Sequence, residues 1–280
     1  MKLLFFDIDG TLMSEKTGLI PKSAKKAIKK AQEAGHLVFI NTGRPRSTIE
    51  DKILNLGLDG YVCGCGSYIE LHGKILHSSA LPHELCLEIV EQLKKYRISA
   101  LLEGEKAVYY EKDNRHPQVA LIKENYTKVG FDTTKTWDDK DICFDKATCW
   151  LNEDSLFEPF MKWMKKYFEP IKRAENFYEF IQPQYSKATG IQYLLNHFNL
   201  PLDAAYAFGD STNDLSMLRY VNHSIGMQES HLDVLKTVSF ITKDVDDDGK
   251  PDFNDPDGDD CPDLNIKWKD DSGNWVVING

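Results

Sequence analysis

Four short polar groups in the sequence have side chains that could act together on a charged ligand. The first, DIDGT at residues 7–11, stands at the end of an apolar run that begins at Leu3. Because side chains alternate along a strand, Asp7 and Asp9 would share one face if the strand continued that far. Two carboxylates held close together repel each other and attract a cation. A surface turn with two solvated aspartates is the alternative interpretation of this motif alone.

The second group is NTGRP at residues 41–45, which follows the apolar run 37–40. A hydroxyl at Thr42 followed by Gly43 can present an O–H and backbone N–H donors to an anion. Arg44 is placed to reach a substrate, although a plain surface arginine fits the sequence equally well. Since Thr-Gly is also an ordinary turn, this group indicates anion binding only together with the others.

The third and fourth groups lie far along the chain. Lys187 stands near the start of a predicted helix, where the helix dipole disfavours a lysine unless an anion is close. A solvated surface lysine is the alternative. The fourth group, GDSTND at residues 209–214, follows an apolar strand. Helix N-capping accounts for one acid there, but not for two, Asp210 and Asp214, with Asn213 between them.

The elements that would carry these residues alternate between β-rich runs and helical stretches, which is typical of an α/β fold. Ligand sites of open parallel sheets lie beyond the carboxyl ends of the strands, where the predicted strands place these groups. Residues 46–56 are predicted to form a single helix. Further on, the order of helices and strands is mixed, which predicts a separate α+β unit. We expect a core at 1–81 plus 185–249, an inserted domain at 82–184, and an atypical acidic tail at 250–280 ending in a β-hairpin.

In this combination and order, the four groups resemble the motifs of the haloacid dehalogenase-like superfamily of phosphohydrolases. Asp7 and Asp9 match its nucleophile motif. Thr42 matches its hydroxyl motif, Lys187 its lysine motif, and residues 209–214 its acidic motif. The long insertion between Thr42 and Lys187 resembles the α+β (type IIB) cap of the Cof-type sugar-phosphatase branch. The resemblance covers roughly residues 1–249 and implies a Rossmann-like parallel-sheet core with this cap inserted.

The resemblance implies a Mg²⁺-dependent reaction at the two N-terminal aspartates. Asp7 would attack phosphorus and form an aspartyl-phosphate, while Asp9 would protonate the leaving oxygen and then activate water. Mg²⁺ is expected to bind the Asp7 carboxylate, the Asp9 backbone carbonyl and Asp210. Asp214 is expected to complete the metal shell.

The same resemblance assigns the phosphate-binding residues. Thr42 and Lys187 would hold the phosphoryl oxygens as charge shifts in the transition state. Asn213 would complete the phosphate shell, and Gly43 and Arg44 are further candidates for contact with substrate. The leading hypothesis is a Mg²⁺-dependent phosphatase of small phosphorylated metabolites, such as sugar phosphates or similar monoesters. The alternative within the family is a phosphotransferase or phosphomutase, which passes the phosphoryl group to a sugar hydroxyl.

The sequence departs from the family pattern at two places. Cys65 stands where the family often has Asn, and Cys63 and Cys65 are either redox-active or simply small buried residues. The chain after Gly249 is rich in proline and aspartate and predicts no final helix. Because residues 244–255 place acids and a glycine at calcium-loop positions, a non-catalytic calcium-binding protein is an alternative to the phosphatase. A solvated acidic tail is the other interpretation of these residues.

Charge and composition restrict the classes of partner. The net charge is −10, and residues 244–280 hold 12 acids against 3 lysines, so no basic surface for nucleic acid is indicated. No apolar run approaches the ~20 residues needed to cross a bilayer. The 6 cysteines form no C-x-x-C pair, which favours free thiols in a reducing compartment. We expect a cytoplasmic protein with a small phosphorylated substrate and no nucleic-acid or membrane partner; the oligomeric state is left open.

Overall fold

The computed structural model describes residues 1–113 and 115–246, together with the backbone of residues 267–269 and 275–277. Its N-terminal part alternates strands with helices and ends in two antiparallel strands at the sheet edge. The elements of this part are β1 (Leu3–Phe6), α1 (Lys22–Glu33), β2 (Leu37–Asn41), α2 (Asp51–Leu54), β3 (Gly60–Cys63), β4 (Tyr68–Leu71) and β5 (Lys74–Ser78).

The prediction of a single helix over residues 46–56 is wrong. A 3₁₀ turn at Arg46–Thr48 comes first, and α2 begins only after it. Between them Ile49 and Glu50 adopt extended backbone angles. This break places the Ile49 side chain in the core at 3% exposure and brings Glu50 against an arginine, which one continuous helix would not do.

The middle of the chain forms a second sheet, here called the five-stranded unit (residues 83–181). Its neighbouring strands all pair antiparallel, in the order β7-β6-β8-β10-β9. Helices α3 and α5 pack on the sheet around Leu93, Phe160 and Phe180, so the unit has a core of its own. Its elements are α3 (His83–Tyr96), β6 (Ile98–Glu103), β7 (Val108–Tyr110), α4 (Pro117–Val129), β8 (Lys146–Leu151), α5 (Phe157–Met164), β9 (Glu169–Ala174) and β10 (Phe177–Ile181).

The chain then returns to the first sheet through α6 and β11. The strands β14 and β15 pair antiparallel with each other, and β14 also pairs with β13. The elements of this part are α6 (Lys187–His197), β11 (Ala205–Gly209), α7 (Leu215–Tyr220), β12 (His223–Gly226), α8 (Leu232–Thr237), β13 (Phe240–Ile241), β14 (Lys267–Lys269) and β15 (Trp275–Val277).

The described strands of the first sheet run in the order β15-β14-β13-β12-β11-β1-β2-β3-β4-β5. Pairing is parallel from β13 to β3 and antiparallel at both edges. β1 therefore lies between β11 and β2, with Phe6 opposite both Phe208 and Ile40. Since parallel strands end at the same edge, the residues after β1, β2 and β11 are brought together.

Apolar side chains cover both faces of this parallel sheet. On β2, Phe39 packs with α6 and α7, while Val38 and Ile40 point the other way and pack with α1 and α2. This alternation follows the two-residue period of a strand and makes the sheet the middle of three layers. The predicted α/β class is confirmed. Among the described residues, no helix combines the length and the apolar character that a membrane span requires.

Candidate active site

The predicted nucleophile lies at the carboxyl end of β1, in the middle of the sheet. The Asp7 N–H donates to the Phe208 carbonyl of β11 at 3.0 Å, so the residue continues the strand pairing by one position. Its side chain is 4% exposed and lines a cavity of about 310 Å³. Burial raises the pKa of Asp7, and the nearby Asp214 raises it further, while Lys187 opposes both effects. A cation beside this carboxylate would favour its ionised form.

Lys187 joins the first motif to the last. It begins α6, and Ser186 before it forms a capping box with Thr189, which fixes where the helix starts. The Lys187 Nζ lies 2.6 Å from Asp7 Oδ1 and 2.5 Å from Asp214 Oδ1. Although burial lowers the pKa of Lys187, the two carboxylates raise it overall, so the group is an ammonium inside the protein. The alternative of a solvated surface lysine is wrong, because the residue is 1% exposed.

Asp210 faces the turn of the first motif. The Thr11 hydroxyl donates to Asp210 Oδ1 at 2.8 Å. Gly10 has a φ of +75°, and a Cβ there would lie 2.6 Å from Asp210 Oδ2. The turn thus needs glycine both for its backbone angle and for the space that Asp210 occupies. Burial raises the pKa of Asp210 to about 6.

Asp214 holds the loop after β11 in place. Its Oδ2 accepts from the N–H groups of Asp210 and Ser211 at 3.1 and 3.0 Å, while Oδ1 accepts from Lys187. Asn213 lines the cavity, and its Oδ1 accepts from the Ser211 hydroxyl at 2.6 Å. Because both oxygens of Asp214 already accept hydrogen bonds, its contacts favour positioning of Lys187 and of the loop.

Arg44 points its guanidinium at Asp9. Its Nε and Nη2 lie 2.9 and 2.5 Å from the two Asp9 oxygens, and Nη1 lies 3.2 Å from Glu50. This two-pronged contact fixes the orientation of the Asp9 carboxyl group. Thr42 is buried, and its hydroxyl oxygen accepts from the Arg44 N–H at 3.1 Å. Both Thr42 and Gly43 line the cavity, as the sequence-based hypothesis requires of anion-binding residues.

Three carboxylates converge where the first and last motifs meet. One oxygen from each of Asp7, Asp210 and Asp214 lies within 4.8 Å of the others. Hard oxygen ligands at this spacing fit a divalent cation such as Mg²⁺, and the carboxylates need positive charge beyond that of Lys187. The Asp9 side chain is outside this group, so a part for Asp9 in metal binding depends on its backbone carbonyl.

The five-stranded unit supplies much of the cavity wall. Several of its residues line the same cavity as the motif residues, among them Leu101, Glu103, Tyr126, Lys146, Trp150, Phe177 and Glu179. Sequence reasoning did not find these residues. The signal that could have located them is strand alternation, since Glu103 and Lys146 occupy buried positions in β6 and β8 and Glu179 occupies a partly buried position in β10.

Two other sequence hypotheses concern cysteines and calcium. Cys63 and Cys65 are buried, and burial raises the pKa of both thiols, which favours small packed residues over reactive thiolates. In the proposed calcium loop, Asp246 pairs with Lys16 at 3.0 Å. Asp244 of the proposed calcium loop accepts from the Asp246 N–H at 3.0 Å. The positions Asp248, Gly249, Asp252 and Asp255 lie outside the described residues, as does Cys261.

Comparison with known proteins agrees with this geometry. The family model of haloacid dehalogenase-like (HAD) hydrolases matches residues 4–252. The chain belongs to this family. YkrA of Bacillus subtilis (strain 168) is 25% identical over 251 residues, which cover 89% of this chain and 94% of YkrA. The 5-amino-6-(5-phospho-D-ribitylamino)uracil phosphatase YwtE of the same organism is 26% identical over 274 residues, covering 89% of this chain and 95% of YwtE.

A solved structure extends the likeness to the branch of the family. The HAD subclass IIB sugar phosphatase BT4131 superposes with a TM-score of 0.71 at 26% identity, over 89% of this chain and 95% of that one. The predicted family and its Cof-type, subclass IIB branch are therefore confirmed. The protein is a HAD-like phosphatase.

Proposed function

We propose that this HAD-like phosphatase is Mg²⁺-dependent and hydrolyses monoesters of small hydroxylated metabolites through an aspartyl-phosphate on Asp7. The observation that supports this most directly is the position of the Asp7 carboxylate. It lies at the end of the central strand, in contact with the Lys187 ammonium, and lines a cavity shared with Asp9, Thr42 and Asp210. Nucleophile, acid–base group and cation ligands are thus within one small space.

Mg²⁺ would be held by the carboxylates of Asp7 and Asp210 and by the Asp9 backbone carbonyl. It would neutralise negative charge that otherwise keeps the Asp7 carboxylate and the phosphate apart. Thr42 and Lys187 contribute an O–H and N–H donors to the phosphoryl oxygens. Asn213 adds a polar side chain on the same wall of the cavity.

In the first step, an Asp7 oxygen attacks phosphorus as the bond to the leaving oxygen breaks, and Asp9 gives that oxygen its proton. In the second step, the Asp9 carboxylate takes a proton from water as the water oxygen attacks phosphorus. The Asp7–phosphate bond breaks, so phosphate leaves while the Asp7 carboxylate and protonated Asp9 are restored. Arg44 holds the Asp9 carboxylate oriented for the second transfer, in which Asp9 accepts the proton.

The five-stranded unit would act as the cap, with boundaries near 82–184 and the core at 1–81 plus 185–249. Polar contacts link it to the core, among them Ser47 to the Gly104 carbonyl at 2.8 Å, Lys146 to the Gly43 carbonyl at 3.2 Å, Ser67 to Asp145, and Ser78 to Glu105 at 2.8 Å. Polar contacts of this kind can break as the unit moves away from the core to admit a ligand. When the unit closes again, it separates the reacting groups from water.

The substrate class is supported by the size of the cavity and by the relatives. About 310 Å³ suits a compact metabolite better than a protein or nucleic-acid chain. BT4131 is described as a sugar phosphatase, and the name of YwtE specifies a phosphoribityl compound. Both descriptions concern phosphate esters of hydroxylated carbon chains.

A phosphate-release screen tests this proposal. Purified protein is incubated with a panel of sugar, polyol and aromatic phosphate monoesters, with Mg²⁺ and with a chelator. We expect the wild type to release phosphate from hydroxylated monoesters only when Mg²⁺ is present. The Asp7→Asn variant should release none. Free phosphate also separates hydrolysis from transfer, since a phosphotransferase returns the phosphoryl group to a hydroxyl. Release that persists in chelator would contradict the metal assignment.

A further inference from the structure

Lys146 of the five-stranded unit lies buried in the wall of the catalytic cavity. Its Nζ is 3.2 Å from the Gly43 carbonyl, 3.2 Å from Glu179 Oε1 and 3.4 Å from Glu103 Oε2. The first two contacts are hydrogen bonds, and the third is an ion pair. Burial lowers the pKa of Lys146, but the two glutamates raise it overall, so the charge is kept. Lys146 therefore holds two carboxylates beside the cavity.

The two glutamates differ in how their oxygens are used. On Glu179, Oε1 accepts from Lys146 and Oε2 accepts from Arg173 at 2.6 Å. Burial raises the pKa of Glu179, and Lys146 and Arg173 outweigh this and lower it to about 2. On Glu103, both contacts fall on one oxygen: Lys146 and the Thr148 hydroxyl approach Oε2. Among the described residues, the contacts of Glu103 leave Oε1 without a donor.

Glu103 Oε1 is thus an acceptor available to a ligand. Glu103 lines the same cavity as Asp7 and is itself only 6% exposed. A carboxylate oxygen that faces the cavity is satisfied by molecules that carry an O–H or N–H group. A second anionic group on the ligand that approached Oε1 would instead meet the Glu103 carboxylate and be repelled.

Part of the wall contributed by the five-stranded unit is apolar. Trp150 and Phe177 stack with ring centroids 4.9 Å apart and planes 2° from parallel. They line the cavity together with Leu101 and Ile122. A leaving group with one face of C–H groups and one edge of hydroxyls would cover the rings and reach Glu103 at the same time.

We propose that Glu103 is a specificity-determining residue of this phosphatase, with Oε1 accepting a hydrogen bond from a hydroxyl of an uncharged leaving group. The inference rests on the proposed function and deepens it. It selects among phosphate monoesters: hydroxylated, neutral leaving groups are favoured over deoxygenated ones and over those that carry a carboxylate.

The experiment compares kcat/KM for phosphate release from hexose 6-phosphates and from a series that lacks one ring hydroxyl at a time, with p-nitrophenyl phosphate as reference. For the wild type, loss of the bonded hydroxyl should lower kcat/KM by about 10- to 100-fold, because a charged acceptor is left without its donor. In Glu103→Leu, loss of the same hydroxyl should lower kcat/KM by only about threefold or less. The matched control is Glu158→Gln, at an exposed glutamate of α5. It should show the same loss of kcat/KM as the wild type when the hydroxyl is removed.

A variant that keeps the shape of the side chain covers the case in which Glu103→Leu does not fold. In Glu103→Gln the amide oxygen takes over the contacts with Lys146 and Thr148, and the NH₂ group faces the cavity. Its ratio of kcat/KM for 6-phosphogluconate over glucose 6-phosphate should rise about 10-fold, since one repelling charge is gone.

The outcomes separate this inference from the proposed function. Wild-type protein that releases phosphate equally from every deoxygenated analogue overturns the role of Glu103. A Glu103→Leu variant that loses as much kcat/KM as the wild type when the hydroxyl is removed also overturns it. So does a Glu103→Gln variant with an unchanged ratio of kcat/KM for 6-phosphogluconate over glucose 6-phosphate. Wild-type protein that releases no phosphate from any monoester, p-nitrophenyl phosphate included, contradicts the proposed function itself.

Discussion

Asp145 offers a test of the electrostatics between the five-stranded unit and the core. It precedes β8, is 8% exposed, and accepts a hydrogen bond from the Ser67 hydroxyl. Burial raises the pKa of Asp145 from 3.8 to about 6, with Ser67 opposing and Glu103 adding to the shift. The folded protein therefore holds the proton more tightly than the unfolded chain does.

The free energy of unfolding should depend on pH accordingly. Below about pH 4 the carboxyl group is protonated in both states and Asp145 has no effect. As pH rises to about 6, the unfolded chain ionises first and the folded state loses stability. The shift from 3.8 to about 6 corresponds to about 3 kcal/mol, at ~1.4 kcal/mol per pKa unit. Asp145→Asn keeps an acceptor for Ser67 and removes the ionisation, so it should stabilise the folded state by about 1–3 kcal/mol at neutral pH.

Urea unfolding followed by circular dichroism at pH 4 and at pH 7.5 measures this difference. We expect wild type and Asp145→Asn to agree within ~0.5 kcal/mol at the lower pH and to diverge at the higher one. Asp154→Asn removes an exposed aspartate of the same unit and is the control. An Asp145→Asn variant less stable than the wild type at pH 7.5 would refute the reasoning.

Three further changes test the site. Gly10→Ala should raise the Mg²⁺ concentration for half-maximal phosphate release at least tenfold, because its Cβ would lie 2.6 Å from Asp210 Oδ2; an unchanged Mg²⁺ titration would contradict this. Asp214→Asn leaves Lys187 with one charged partner, so urea unfolding should show a loss of about 3 kcal/mol or more. Ending the chain after Gly249 should leave kcat largely unchanged, since all four motifs precede it; a folded, inactive product would show that the tail serves the site.

The sequence located the site residues where polar side chains interrupt apolar strands. Asp7, Thr42 and Asp210 each follow such a run, and parallel strands end at a common edge, so their convergence follows from the fold class. Lys187 was harder to place, because a lysine at a helix start is common on surfaces. Its position in the order of the four motifs, together with the family resemblance, identified it as a candidate site residue.

Other features depend on tertiary contacts that no local pattern specifies. The pairing of Arg44 with Asp9 joins two turns that follow different strands. Glu103 and Lys146 occupy ordinary alternating positions of β strands, and only the placement of the five-stranded unit over the core turns them toward the cavity. The catalytic roles and the domain boundaries stay predictions until the variants are measured.

The most direct test of the account is the covalent intermediate on Asp7. Wild-type protein is mixed with Mg²⁺ and a rapidly hydrolysed sugar phosphate, quenched in acid during turnover, digested, and examined by mass spectrometry. We predict one phosphoryl group on the peptide that contains Asp7, and neither this adduct nor phosphate release in folded Asp7→Asn. Near-wild-type phosphate release by folded Asp7→Asn would contradict the central claim.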